Sequence, residues 1–281
     1  MIGGKNCSVE LIGCQSNLCQ NGATCRPFLA NETANIQDYS CYCSSGFSGK
    51  LCNISTSISF DSDSWLEFHV GDNTSDVLSV SLAFRTTLSD VTLMVFLSNR
   101  SVVDFRLELV GVAPARLRLS SPHLLNGFLM IDYPGQKSLN DANWHGIQLN
   151  LTSSNISLQV SECMEGINCS STAPLGGGWS FDDGGVVYFG GNVSNLIIGT
   201  FVGCMQDVQV NGGTFLPQVE PNGGVRQTFV SHEVGVGCQR HDQCNPDPCN
   251  GRGLCSDLWT RYQCACQRPF YGTNCTESKN H

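Results

Sequence analysis

Leu78-Ser79-Val80-Ser81-Leu82-Ala83-Phe84 places a large apolar residue at every second position, with small or polar residues between. That period lays one face of a strand on a core and turns the other to water. Outward along the chain the pattern returns. Phe105, Leu107 and Leu109 alternate with Arg106 and Glu108; Ile147, Leu149 and Leu151 alternate with Gln148 and Asn150; Ile156, Leu158 and Val160 follow. Leu93 to Leu97 is a continuous apolar run, the mark of a strand buried on both faces. Gly, Asn and Pro clusters separate these runs at Gly111 to Pro114, Pro134-Gly135, Gly176 to Gly178 and Asn211 to Gly213. No helix-period segment exceeds about two turns. Residues 54–239 therefore read as one large all-β sandwich.

The flanks obey a different rule. Cys14, Cys19, Cys25, Cys41, Cys43 and Cys52 are separated by 4, 5, 15, 1 and 8 residues, and Cys244, Cys249, Cys255, Cys264, Cys266 and Cys275 by 4, 5, 8, 1 and 8. One small module therefore occurs twice, over 10–53 and 240–276, followed by a tail over 277–281. The first copy has seven extra residues, which carry Asn31. A module of about 40 residues buries too little apolar surface to fold unaided, so disulfides stand in for a core. Six cysteines allow 15 pairings, and spacing alone does not choose among them. Gly4-Lys5-Asn6-Cys7 repeats the module endings at Gly49-Lys50-Leu51-Cys52 and Gly272-Thr273-Asn274-Cys275. Residues 1–9 are thus expected to be the remnant of a preceding module, with Cys7 the odd one of seventeen.

Seventeen cysteines imply an oxidising compartment. The N-glycosylation pattern agrees, starting at Asn6, Asn31, Asn53, Asn73, Asn99, Asn150, Asn155, Asn168, Asn192 and Asn274. The net charge of −9 argues against nucleic-acid binding, which needs basic faces to neutralise phosphate. Arg106, Arg116 and Arg118 are the candidates for a local basic patch. No apolar run reaches the length of a membrane span, and no signal peptide opens the sequence. The expected setting is an extracellular piece of a larger, membrane-anchored protein. The six histidines, His69 and His145 among them, show no nucleophile or metal spacing, and no enzyme is expected.

The cysteine spacing, with Gly46-Phe47-Ser48-Gly49 and Pro269-Phe270-Tyr271-Gly272 before each final Cys, resembles the EGF family. The resemblance implies Cys14–Cys25, Cys19–Cys41 and Cys43–Cys52, then Cys244–Cys255, Cys249–Cys264 and Cys266–Cys275. The middle resembles laminin G domains, whose fold is a jelly-roll sandwich. The carrying stretches are Leu82 to Thr87, Leu139 to His145, and Tyr188-Phe189-Gly190-Gly191 leading to Phe201-Val202-Gly203-Cys204-Met205. That family implies Cys204–Cys238, which leaves Cys163 and Cys169 to close a small loop if geometry allows. Leu258 to Cys264 and Arg268 to Gly272 are similar to the Crumbs family of apical polarity proteins. Flamingo-type seven-pass cadherins share the module order and the Phe-Val-Gly-Cys-Met stretch.

These families imply candidate ligands. Laminin G domains that bind calcium use an Asp at the position of Asp104, with backbone oxygens here near Ser120 and Val202. In the second EGF-like module Asp242, Gln243 and Asp257 fit a calcium-binding pattern, but Arg240 replaces an acid and would repel the ion. In the first module Thr24 fits the O-fucose pattern and Ser48, more loosely, the O-GlcNAc pattern. The expected function is a non-catalytic extracellular interaction region, binding another protein or a second copy of itself, in apical–basal polarity and cell–cell contact. The alternatives are a structural spacer, or an adhesion or ligand-binding region of a flamingo-type cadherin or other receptor with EGF-like and laminin G modules.

Overall fold

In the computed structural model the described residues are 2–3, 7, 9–16, 18–31, 34–70, 77–98, 103–111, 114–131, 138–161, 169–176, 184–191, 199–218 and 229–278. No helix occurs among them. The middle of the chain forms two packed antiparallel sheets. One runs, edge to edge, Phe128–Ile131, Arg116–Ser120, Val103–Val110, Val91–Ser98, Gly185–Gly190, Trp65–Val70 and Phe229–His232. The other runs Ser170–Pro174, Asn155–Val160, His145–Thr152, Val77–Arg85, Gly203–Val210, Ile58–Phe60 and Gly235–Val236, with Gly213–Thr214 paired to Gly203–Val210.

The two-residue period decides what lies between the sheets. Leu78, Val80, Leu82 and Phe84 are all buried, as are Ile147, Leu149 and Leu151 on the neighbouring strand. From the other sheet come Phe105, Leu107 and Leu109, with Met94 and Phe96 beside them in register. Aromatic pairs fill the core: Phe60 meets Phe201 at 5.7 Å, and Phe68 meets its cross-strand neighbour Phe229 at 4.6 Å between ring centroids, both edge-on. The run from Leu93 to Leu97 is buried on both sides. Val95 points away from the core and has Arg106 and Tyr188 as its cross-strand neighbours.

At each end the chain gives up layers for hairpins held by disulfides. Thr24–Asn31 pairs with Ile36–Tyr42, and Gly253–Asp257 with Tyr262–Cys266. Bonds join Cys14 to Cys25, Cys19 to Cys41, Cys43 to Cys52, Cys244 to Cys255, Cys249 to Cys264 and Cys266 to Cys275. Within the sandwich Cys204 is bonded to Cys238. Cys169 is buried and disulfide-bonded, whereas Cys163 lies outside the described residues. Cys7 is free and exposed.

Replacing Phe105, fully buried between the sheets, with Ala should destabilise the sandwich by about 3–5 kcal/mol. Gln148→Ala on the exposed face should change stability by no more than about 0.5 kcal/mol. Denaturant unfolding of the two variants under non-reducing conditions checks the contrast.

Candidate functional site

The strand Gly203–Val210 carries the geometry on which the modules meet. Gln206 pairs with Ala83 and Gln209 with Ser81, so three steps on one strand oppose two on the other. This one-residue bulge keeps Met205, Val208 and Val210 in the core but turns the consecutive Gln206 and Asp207 outward. Asp207 takes a left-handed backbone, φ 54°, which Asp tolerates better than most side chains. Its carboxylate accepts the Gly46 amide at 3.0 and 3.2 Å and the Thr56 hydroxyl at 2.6 Å. The Ser57 hydroxyl reaches Gln206 Oε1 at 3.2 Å. Gly46 belongs to the first EGF-like module, has φ +86°, and would drive a Cβ to 2.8 Å from Gln206 Oε1. Only glycine fits that approach without strain. The link Asn53 to Ser57 is itself ordered, because Ile54–Ser55 pairs with Phe47–Ser48.

The second joint starts from the same strand, at Cys204. Its disulfide to Cys238 leads two residues later to Arg240, whose Nη2 donates to Asp257 Oδ2 at 2.6 Å. Asp257 also accepts the Gln243 amide at 3.2 Å and the Trp259 amide at 2.8 Å. The Arg240 guanidinium lies over the Trp259 ring at 5.5 Å, and Trp259 is buried. Arg85, which pairs with Cys204, lies over Trp144 at 6.0 Å. Burial lowers the Arg85 pKa, and the positive charge of Arg240 lowers it further. A cleft at this joint is lined from the sandwich by Asp61, Asp63 and Val202 and from the module by Leu258, Thr260 and Arg261. Of the other aromatics in this module, Phe270 packs under Arg252 at 4.6 Å and Tyr271 is exposed.

Asp104 is buried; its Oδ1 meets His123 Nε2 at 3.0 Å and its Oδ2 accepts the Ser98 amide at 3.0 Å. Val202 lines the cleft at the second joint, and its carbonyl accepts the Thr86 hydroxyl. Calcium takes six to eight oxygens, and each Asp104 oxygen already serves a group of the chain. Among the described residues no group of three or more His, Cys, Asp or Glu is arranged to hold a metal. Asp242 accepts the Cys244 amide at 2.9 Å, and the Gln243 side chain donates to the His241 carbonyl. His145 bonds Asp141 at 2.8 Å. Burial alone would raise the Asp141 pKa, but hydrogen bonds from Asn143 and His145 outweigh it and hold the carboxyl below its usual range.

Arg106, Arg116 and Arg118 share the outer face of the seven-stranded sheet, yet they are not a bare basic patch. Buried Glu108 takes both Nε and Nη2 of Arg118, at 3.1 and 2.9 Å, and lies 4.0 Å from Arg106. The sequence signal missed here was Glu108, which reads as an exposed alternate of a strand. On the opposite sheet, Asn150 and Asn155 both point outward, Asn150 accepting the Ser79 hydroxyl at 2.8 Å. In the EGF-like modules Asn31, Asn53 and Thr24 are exposed, while Ser48 and Asn274 are half-buried. The Asn274 amide nitrogen donates to the Tyr262 hydroxyl at 2.8 Å. Asn73, Asn99, Asn168 and Asn192 lie outside the described residues.

The family profile for the laminin G domain matches residues 84–213, and that for the EGF-like domain matches 14–51 and 244–274. Protein crumbs homolog 2 of Mus musculus is 34% identical over 251 residues, covering 87% of this chain and 18% of that protein. Protein crumbs homolog 1 of Mus musculus is 29% identical over 254 residues, 84% of this chain and 17% of the relative. The chain belongs to the Crumbs family. Cadherin EGF LAG seven-pass G-type receptor 2 of Homo sapiens shares the module order, at 29% identity over 302 residues, 96% of this chain and 9% of the receptor. The chain thus spans under a fifth of the length of the Crumbs proteins it matches, as an extracellular segment of EGF-like and laminin G modules.

Asp207→Ala should free the Gly46 amide from a charged acceptor worth about 1.5–3 kcal/mol. Hydrogen exchange at Gly46 should then speed up roughly ten- to hundredfold. Exchange in the sandwich strands should stay unchanged. An unchanged Gly46 rate would show that the carboxylate does not hold the module.

Proposed function

We propose that this region is a non-catalytic docking segment of a cell-surface protein, acting in cell–cell contact and apical–basal polarity at the apical membrane. Its partner is another extracellular protein, which meets the outer face of the seven-stranded sheet. The observation that carries this reading is the asymmetry of the two outer faces. Asn150 and Asn155, the two described sandwich sequons, lie on the outer face of the eight-stranded sheet, among Ser79, Ser81, Ser157 and Gln148. The opposite face carries none of the described sequons. It presents Trp65 stacked on His232 at 5.5 Å, Tyr188 edge-on to Trp65, the Arg118–Glu108 pair, and Phe128 at 52% exposure. Aromatic and Arg side chains of this kind mark protein contact surfaces, whereas a glycan-bearing Ser and Asn face excludes them.

A spacer role is favoured by a different observation: polar bonds hold the first EGF-like module to the sandwich, and the Cys204–Cys238 disulfide tethers the second two residues before its start. The two readings meet in one device: the joints set the distance and attitude at which the face is presented.

The test uses the glycosylated chain on cells displaying the parent protein's epithelial partners, read by flow cytometry. Phe128→Asp should weaken binding about tenfold or more, the scale of a central aromatic contact. Gln148→Asp on the glycan face should leave it unchanged. Loss with Gln148→Asp and retention with Phe128→Asp would place the partner on the wrong sheet and end the proposal.

A further inference from the structure

The second EGF-like module carries most of a calcium-binding pattern, yet the geometry at its entrance is already complete without an ion. Asp257 is the carboxylate that pattern would use, and its side chain is only 12% exposed. A carboxylate offers about four acceptor directions. Here Oδ2 takes Arg240 Nη2 and the Gln243 amide, and Oδ1 takes the Trp259 amide. Asp242 faces inward to the Cys244 amide, and the Gln243 side chain serves the His241 carbonyl. Asp257, Asp242 and Gln243 thus each already bond groups of the module itself.

The group that completes the cluster is itself a cation. The guanidinium of Arg240 has only donors, sits 17% exposed, and stacks on the buried Trp259. A calcium ion at Asp257 would have to displace the 2.6 Å contact and then sit beside the displaced charge. Arg85 of the sandwich adds a second positive charge near enough to be felt by Arg240, with no carboxylate ion-paired to it among the described contacts. Two arginines at one joint make the site hostile to a divalent cation.

We infer that Arg240 serves as the chain's own cation at the position where EGF-like modules of this pattern take calcium. The entrance to the second module is therefore ordered by a guanidinium, independently of calcium. The joint differs in kind from one that stiffens only when the ion is present. Arg240 opens the module two residues after Cys238, so the cation that orders the entrance is delivered on a fixed covalent tether.

The glycosylated chain and three variants test this: Asp257→Asn, Arg240→Asp and Arg240→Gln. Thermal midpoint and small-angle scattering are measured with millimolar calcium and with chelator. The wild type should give the same midpoint and the same single scattering profile in both. Arg240→Asp restores the missing acid and should gain a calcium-dependent rise in midpoint. Arg240→Gln keeps a polar side chain without the charge and should show a broader range of sizes, equal in calcium and chelator. A calcium-dependent midpoint in the wild type that Asp257→Asn abolishes would overturn the inference, whether or not Arg240→Asp folds. So would an Arg240→Gln profile identical to wild type, which would show that the guanidinium does not fix the joint.

Discussion

The bulge in the strand Gly203–Val210 is the constraint from which the arrangement of modules follows. A sheet strand ordinarily offers its outer face one residue in two. One added residue gives Gln206 and Asp207 together to the outer side without removing Met205 or Val208 from the core. Asp207 then reaches across to Gly46 in the first EGF-like module, and Gln206 to Ser57. The same strand carries Cys204 as its second residue, and the bond of Cys204 to Cys238 anchors the segment that enters the second module. One central strand therefore holds both flanks.

The two joints use the same economy of means at different ends. A module of this size has no core to press against a neighbour, so burial alone cannot fix its attitude. The first joint, and the entrance of the second module, each instead place one carboxylate on several donors. Asp207 binds an amide and a hydroxyl; Asp257 binds a guanidinium and two amides. Such charge-assisted bonds are directional, and hydrogen bonds to charged groups contribute about 1.5–3 kcal/mol. Directional bonds hold an angle, which a greasy contact of the same energy does not.

The sandwich was legible because its signal is periodic. Alternation at Leu78 to Phe84 and the unbroken run at Leu93 to Leu97 each name a burial pattern, and the strands follow. Neither joint has such a signal. Asp207 lies in Gln206-Asp207-Val208-Gln209, which reads as an ordinary polar-apolar strand, because a bulge is visible only once the partner strand supplies the register. Arg240 was readable as a departure from a calcium pattern, but its stacking on Trp259 and its approach to Arg85 bring together residues 19 and 155 positions away in the chain. Trp259, Phe270 and Tyr271 are equally conspicuous in the sequence, and only the fold shows that Arg240 lies over Trp259 and Arg252 over Phe270. Glu108 and His123 were hidden for the same reason: each strand-alternation rule assigns a face, and only the fold says which charges meet there.

The central claim is that the three modules hold one mutual attitude through the strand Gly203–Val210. Spin labels carried by non-natural side chains at exposed Asp38 and Leu254 report the distance between the two EGF-like modules across the sandwich. Pulsed electron–electron resonance on the intact glycosylated chain should give a single narrow distance distribution. A broad distribution, spanning the range that two freely rotating modules would sample, would contradict the account.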